Sequence, residues 1–205
     1  MKKSTARTLL LIGAGALTWF AADRMGRLNR DADEKRKIVA ADRSPQPGDI
    51  LLFYRPGVFA DVFIQTMTGS RVYHTALFME STERGPVVLE ALTSGVQVSN
   101  LRETGREGDF VVVPAPLEKG REALDWARTK IGSPYDYKDG FVIGLEQVFE
   151  HLRVNYTLRG KYTCGELVAA AYEQVGIKLV TNKEPNEVSP ADISTCAFAF
   201  TKSPE

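Results

Sequence analysis

Five short runs rich in β-branched and aromatic residues follow one another between residues 49 and 114, separated by Gly, Pro or charged residues. They are "DILLFY" (49–54), "VYHTALFME" (72–80), "VVLEAL" (87–92), "GVQVS" (95–99) and "DFVVVP" (109–114). The stretch "GVFADVFIQTMTGS" between the first two has the pattern of a short amphipathic helix. After Pro116 the periodicity becomes helical, at "LEKGREALDWARTKIG", at "KDGFVIGLEQVFEHL" and at "KYTCGELVAAAYEQVG". Strands grouped first and helices afterwards predict an α+β domain, an antiparallel sheet packed against segregated helices.

The last of these helices carries the more conspicuous of only two cysteines. Thr163 followed three residues later by Glu166 has the form of a capping box, in which each side chain satisfies the other's backbone N–H. Leu167, Val168, Ala171, Tyr172 and Val175 form one apolar face, and Gly176 stands at the helix stop. Cys164 is then the first helical residue. It lies at the end of the buried face, where the positive end of the helix dipole favours a thiolate. The commoner use of a lone cysteine is to fill a gap in a core, so a nucleophile also needs a base. Cys196, in "STCAFAF", is read as a packing residue.

Of the two histidines, His74 is the better base. Both faces of "VYHTALFME" carry apolar residues, which predicts a central strand in which an imidazole must find partners. His151, in "FEHLRV", reads as a surface residue of an amphipathic helix. A thiol at a helix start and an imidazole in the same domain are the equipment of covalent catalysis. The base takes the thiol proton, the sulfur attacks a carbonyl carbon, and N–H groups at the helix start hold the oxyanion. Glu90 is the candidate third residue, because a carboxylate inside an apolar strand is costly unless paired. It shares the face of His74 only if residue 76 pairs with residue 90; a slip by one sends it to the other face. Glu80 and Asp61 are weaker candidates.

Composition removes other classes. The formal net charge is +0, so no nucleic-acid partner is expected. There is no C-x-x-C, and both histidines are remote from the cysteines, so neither a structural zinc site nor any other cofactor is expected. At the N-terminus a basic start precedes an apolar run from Thr8 to Ala22. As a helix this run reaches only about 22 Å, against roughly 30 Å of hydrocarbon core. A leader would be cut after a small-x-small pattern, but Phe20 or Trp19 would stand at its −3 position. Residues 1–22 are therefore expected to remain as a membrane anchor, 23–44 to be a charged linker, and 45–205 to be the globular domain. Lys2, Lys3 and Arg7 precede the run and Arg24, Arg27 and Arg30 follow it, so charge favours neither orientation.

The order of "QPGDILLF", "YHTALFM", "VVLEAL", "SPYDYKDGF" and "YTCGELVAAAYEQVG" resembles the circularly permuted papain-like cysteine hydrolases of the NlpC/P60 superfamily, and more narrowly their YiiX/YaeF branch. The likeness runs from about Pro47 to Ile193. It implies a permuted papain-like fold with Cys164 as nucleophile, His74 as base, Glu90 as the polar residue on the following strand, and Tyr137 as an aromatic at the substrate. It also implies amide hydrolysis, with cell-wall peptides or lipid-linked amides and esters as substrates, on the envelope side of a bacterial inner membrane. Gly165 departs from that pattern, in which Ser commonly follows the cysteine. Thiol-dependent acyl transfer to a lipid and a non-catalytic envelope-binding scaffold are the alternatives. The first would resolve its acyl-enzyme with an acceptor other than water, and the second has no need of a nucleophile.

Overall fold

The computed structural model describes residues 44–55, 65, 70–136 and 160–196. The expected anchor and all but the last residue of the linker, the helical stretch 138–152 with His151, the residues Asp61 and Tyr137, most of the amphipathic stretch 57–70 and the side chain of Cys196 lie outside the described residues. Among the described residues no helix is long and apolar enough to cross a membrane.

Each of the five β-rich runs forms a strand: β1 (Ile50–Phe53), β2 (His74–Thr82), β3 (Gly85–Leu92), β4 (Gly95–Asn100) and β5 (Phe110–Val113). They make one antiparallel sheet in the order β4-β3-β2-β1-β5, with the histidine strand in the middle. Alternation along β1 divides the core between the two faces. Ile50 and Leu52 join Leu77, Leu89 and the helices in the larger cluster. Leu51 and Phe53 join Ala76, Phe78, Val88 and Leu101 in a smaller one.

Helix α1 (Leu117–Arg128) contributes Ala123, Leu124 and Ala127 to the larger cluster. Helix α2 (Cys164–Gln174) contributes Leu167, Val168, Ala171 and Tyr172, the face expected from its periodicity. Burying one large aliphatic side chain is worth about 1.5–3 kcal/mol, so this face fixes where the N-terminus of α2 ends up. Tyr172 adds a polar clamp. Its hydroxyl donates to the Gly48 carbonyl at 2.5 Å. Gly48 has φ +92°, and a Cβ there would meet the Gly120 backbone at 2.1 Å, so only glycine fits between β1 and α1. Asp49 closes the same corner, its carboxylate accepting from the N–H groups of Gln46 (2.7 Å) and Ala115 (2.8 Å).

The chain after α2 holds two elements that the apolar periodicity did not announce, a 3-10 turn (Pro185–Glu187) and helix α3 (Pro190–Cys196). Capping chemistry rather than periodicity starts α3. The Ser189 hydroxyl accepts from the Asp192 N–H at 3.2 Å, and the Asp192 carboxylate accepts from the Ser189 N–H at 2.8 Å. Val188 and Ile193 thereby join the larger cluster, and the Val188 backbone is brought against the start of α2.

Candidate active site

The capping box at α2 is present in full. Thr163 is extended (φ −84°, ψ 171°), its hydroxyl accepts the Glu166 N–H at 3.2 Å, and the Glu166 carboxylate accepts the Thr163 N–H at 3.4 Å. The N–H groups of Cys164 and Gly165, the next two in the first turn, have no acceptor within a helix and point past its end. Such a pair can hold a developing oxyanion. Cys164 is a free thiol, 5% exposed.

Gly165 has a packing reason. A Cβ on it would lie 2.2 Å from the Val188 carbonyl oxygen, so neither Ala nor the Ser of the resembling family fits without moving one backbone or the other. Gly165→Ala is therefore expected to cost about 1–3 kcal/mol, the usual range for overpacking. A thermal midpoint equal to that of the wild type would show that the two segments do not approach this closely.

Register decides whether Glu90 meets His74, and a bulge decides the register. The β2–β3 hairpin closes with Thr82 opposite Gly85 and Ser81 opposite Pro86. Continued without interruption, that pairing would set residue 77 opposite residue 90 and turn Glu90 away from His74. The register instead shifts between Phe78 and Glu80, where Met79 is the extra residue, and Leu77 then pairs with Leu89. Residue 76 thereby falls opposite residue 90. Glu90 becomes a diagonal neighbour of His74 on one face.

His74 is the first residue of β2 and 6% exposed; its Nε2 is 2.6 Å from Glu90 Oε2. With Nε2 on the carboxylate, Nδ1 is the nitrogen left for a second partner, and Cys164 lies near enough to act electrostatically on the imidazole. The rings of Phe53 (5.4 Å between centroids) and Tyr73 (6.2 Å) flank it. Glu90 is wholly buried, and its second partner is Arg106, which sequence reasoning did not find. Arg106 donates from Nη1 to Oε2 at 2.8 Å and from Nη2 to Oε1 at 2.5 Å, with its guanidinium 5.2 Å from the centre of the Phe53 ring. Arg106 sits in "LRETGREGDF", a charged run with a second arginine, Arg102, and nothing local marks Arg106 as the one that turns inward. Glu80 is exposed and lies beyond the bulge, so it is not part of this array.

Burial alone would raise Glu90, but the hydrogen bonds from Arg106 and His74 outweigh it and hold the carboxyl far below the usual range. Burial alone would lower His74. Attraction and a hydrogen bond from Cys164, and then Glu90, reverse this and push it up to about 10. The imidazole thus stays protonated at neutral pH. Cys164→Ala removes the largest of the raising causes, so His74 is expected to titrate at lower pH in that variant. The chain has two histidines, so NMR resolves the titration readily. An unchanged His74 titration would mean that the sulfur does not face the ring.

No protein-family model matches the chain, and neither does any curated protein sequence. Among solved structures it is similar to the crystal structure of the metalloprotein YiiX from Escherichia coli O157:H7, of DUF1105. The two share 19% identity with a TM-score of 0.50, over 74% of this chain and 92% of that one. The likeness is one of fold, and it agrees with the α+β architecture expected of a YiiX-like chain.

Proposed function

We propose that this chain is a cysteine hydrolase that cleaves amide bonds, in cell-wall peptides or lipid-linked amides, through a thioester on Cys164. One observation carries the reading: a buried free thiol at a capped helix start acts electrostatically on an imidazole whose Nε2 is held by a buried carboxylate at 2.6 Å. The sulfur attacks the carbonyl carbon while the N–H groups of Cys164 and Gly165 receive the oxyanion. His74 holds the proton that came from the thiol and gives it to the leaving amine as the C–N bond breaks. Water then adds to the thioester with His74 as base, releasing the acid and the thiol. Glu90 keeps the ring oriented throughout.

A divalent cation, as the name of the similar Escherichia coli protein would suggest, does not fit this array. Both Glu90 oxygens are held by the Arg106 guanidinium, which already supplies the positive charge. Among the described residues no three His, Cys, Asp or Glu side chains come together as metal ligands.

The test is to incubate the protein with candidate peptides and lipid amides and to seek an acyl adduct on the Cys164 peptide by mass spectrometry. Resolution of that adduct by water supports hydrolysis, whereas resolution only by an added amine or lysolipid makes the protein an acyltransferase. No adduct with any substrate that turns over overturns the covalent reading. The apolar Thr8–Ala22 segment would keep such an enzyme at a membrane surface; recovery of the full-length chain wholly in the soluble fraction would remove that part.

A further inference from the structure

Glu90 is buried between two groups that treat it differently. His74 donates one hydrogen bond to it, and Arg106 donates to both of its oxygens in a fork. The fork is specific to Arg106. Arg102, on the same connection between β4 and β5, is committed to Glu107 at 2.7 and 2.9 Å and is exposed, while Arg55 pairs with Asp109. The Arg106 side chain is only 17% exposed and lies over the Phe53 ring, whose neighbour across the β1–β2 pairing is His74.

We propose that Arg106 is a positioning residue of this site, whose fork keeps Glu90 ionised and thereby leaves Nδ1, the imidazole nitrogen away from the carboxylate, able to accept the thiol proton. The inference rests on the reading of Cys164 and His74 as nucleophile and base. An ionised carboxylate can only accept, so the ring must present Nε2–H to it, and Nδ1 is left to take the thiol proton. A protonated Glu90 would donate to Nε2 instead. The neutral ring would then carry its proton on Nδ1, facing the sulfur with nothing to accept. Burial pushes a carboxyl towards that protonated state, and the guanidinium opposes it. Among the described residues the titratable or charged groups that bear on His74 are Cys164 from α2, Glu90 from β3 and, through Glu90, Arg106.

The experiment is the alkylation rate of Cys164 by iodoacetamide against pH in the full-length protein, read on the Cys164 peptide by mass spectrometry. It is run on wild type, Arg106→Gln, Arg106→Lys, Glu90→Gln and the double variant. Arg106→Gln is expected to slow alkylation at pH 7 by about tenfold, equivalent to one pH unit of thiolate population, with the profile displaced to higher pH. In the Glu90→Gln background the same substitution should add less than about twofold, because Arg106 acts through Glu90. Arg106→Lys keeps the charge without the fork and should slow the rate while leaving the profile in place. Losses from Arg106→Gln and Glu90→Gln that multiply, or no loss in Arg106→Gln, overturn the proposal. Should Arg106→Gln not fold, Arg106→Lys carries the test, and a wild-type rate there overturns it. Alkylation needs no substrate. A wild-type protein that hydrolyses nothing but shows this coupling refutes the hydrolase reading alone, and one that hydrolyses amides without the coupling refutes only this role of Arg106.

Discussion

Cys164→Ala and Cys164→Ser are each expected to abolish turnover, a loss on the order of 10⁶-fold, the scale reached when a hydrolase loses its nucleophile. Both should fold. The start of α2 is built from the Thr163–Glu166 box, and its position from Leu167, Val168, Ala171 and Tyr172, none of which needs the sulfur. Serine is no substitute. An alcohol is far less acidic than a thiol, and the raised pKa of His74 depends on Cys164 itself, so the imidazole has no ready proton to take from a serine. Rates should be compared on whichever peptide or lipid amide the wild type cleaves, with thermal unfolding as the control. Near wild-type turnover by either variant would sink the covalent mechanism.

Local chemistry was legible wherever one segment contains both partners. The capping box of Thr163 and Glu166, the buried stripe of α2 and the five strands each depend on residues a few positions apart. Ser189-Pro190-Ala191-Asp192 carried the same kind of signal, a capping serine with proline at the first helical position, and a reading based on apolar period passed over it. The site itself depends on longer relations. His74 and Glu90 were each conspicuous as polar groups in apolar strands, yet their meeting rests on one extra residue at Met79 that no turn rule announces. Arg106 comes from a charged loop whose two arginines look alike in sequence, and only the folded chain shows which one turns inward. Gly165 looked like a departure from a motif until the Val188 backbone, from a segment with no predicted element, proved to lie against it.

His74→Ala and Glu90→Gln are expected to rank in opposite order for activity and for stability. Removing the base should lower kcat/KM by about 10²–10⁴-fold. Glu90→Gln should cost less, because its amide oxygen can still accept from Nε2 and proton transfer through Nδ1 remains possible. Stability should run the other way. In His74→Ala the carboxylate keeps the Arg106 fork, so no buried charge loses its only partner. Glu90→Gln strips the countercharge from a guanidinium that is 17% exposed, and breaking a buried pair from one side costs about 3–5 kcal/mol. Steady-state kinetics and denaturant unfolding on the same two preparations give both orders. If Glu90→Gln proved the more active and also the more stable of the two, Glu90 would orient the ring without anchoring Arg106. If it proved less active than His74→Ala, the carboxylate would be doing more than orientation, and His74 could no longer be the principal base.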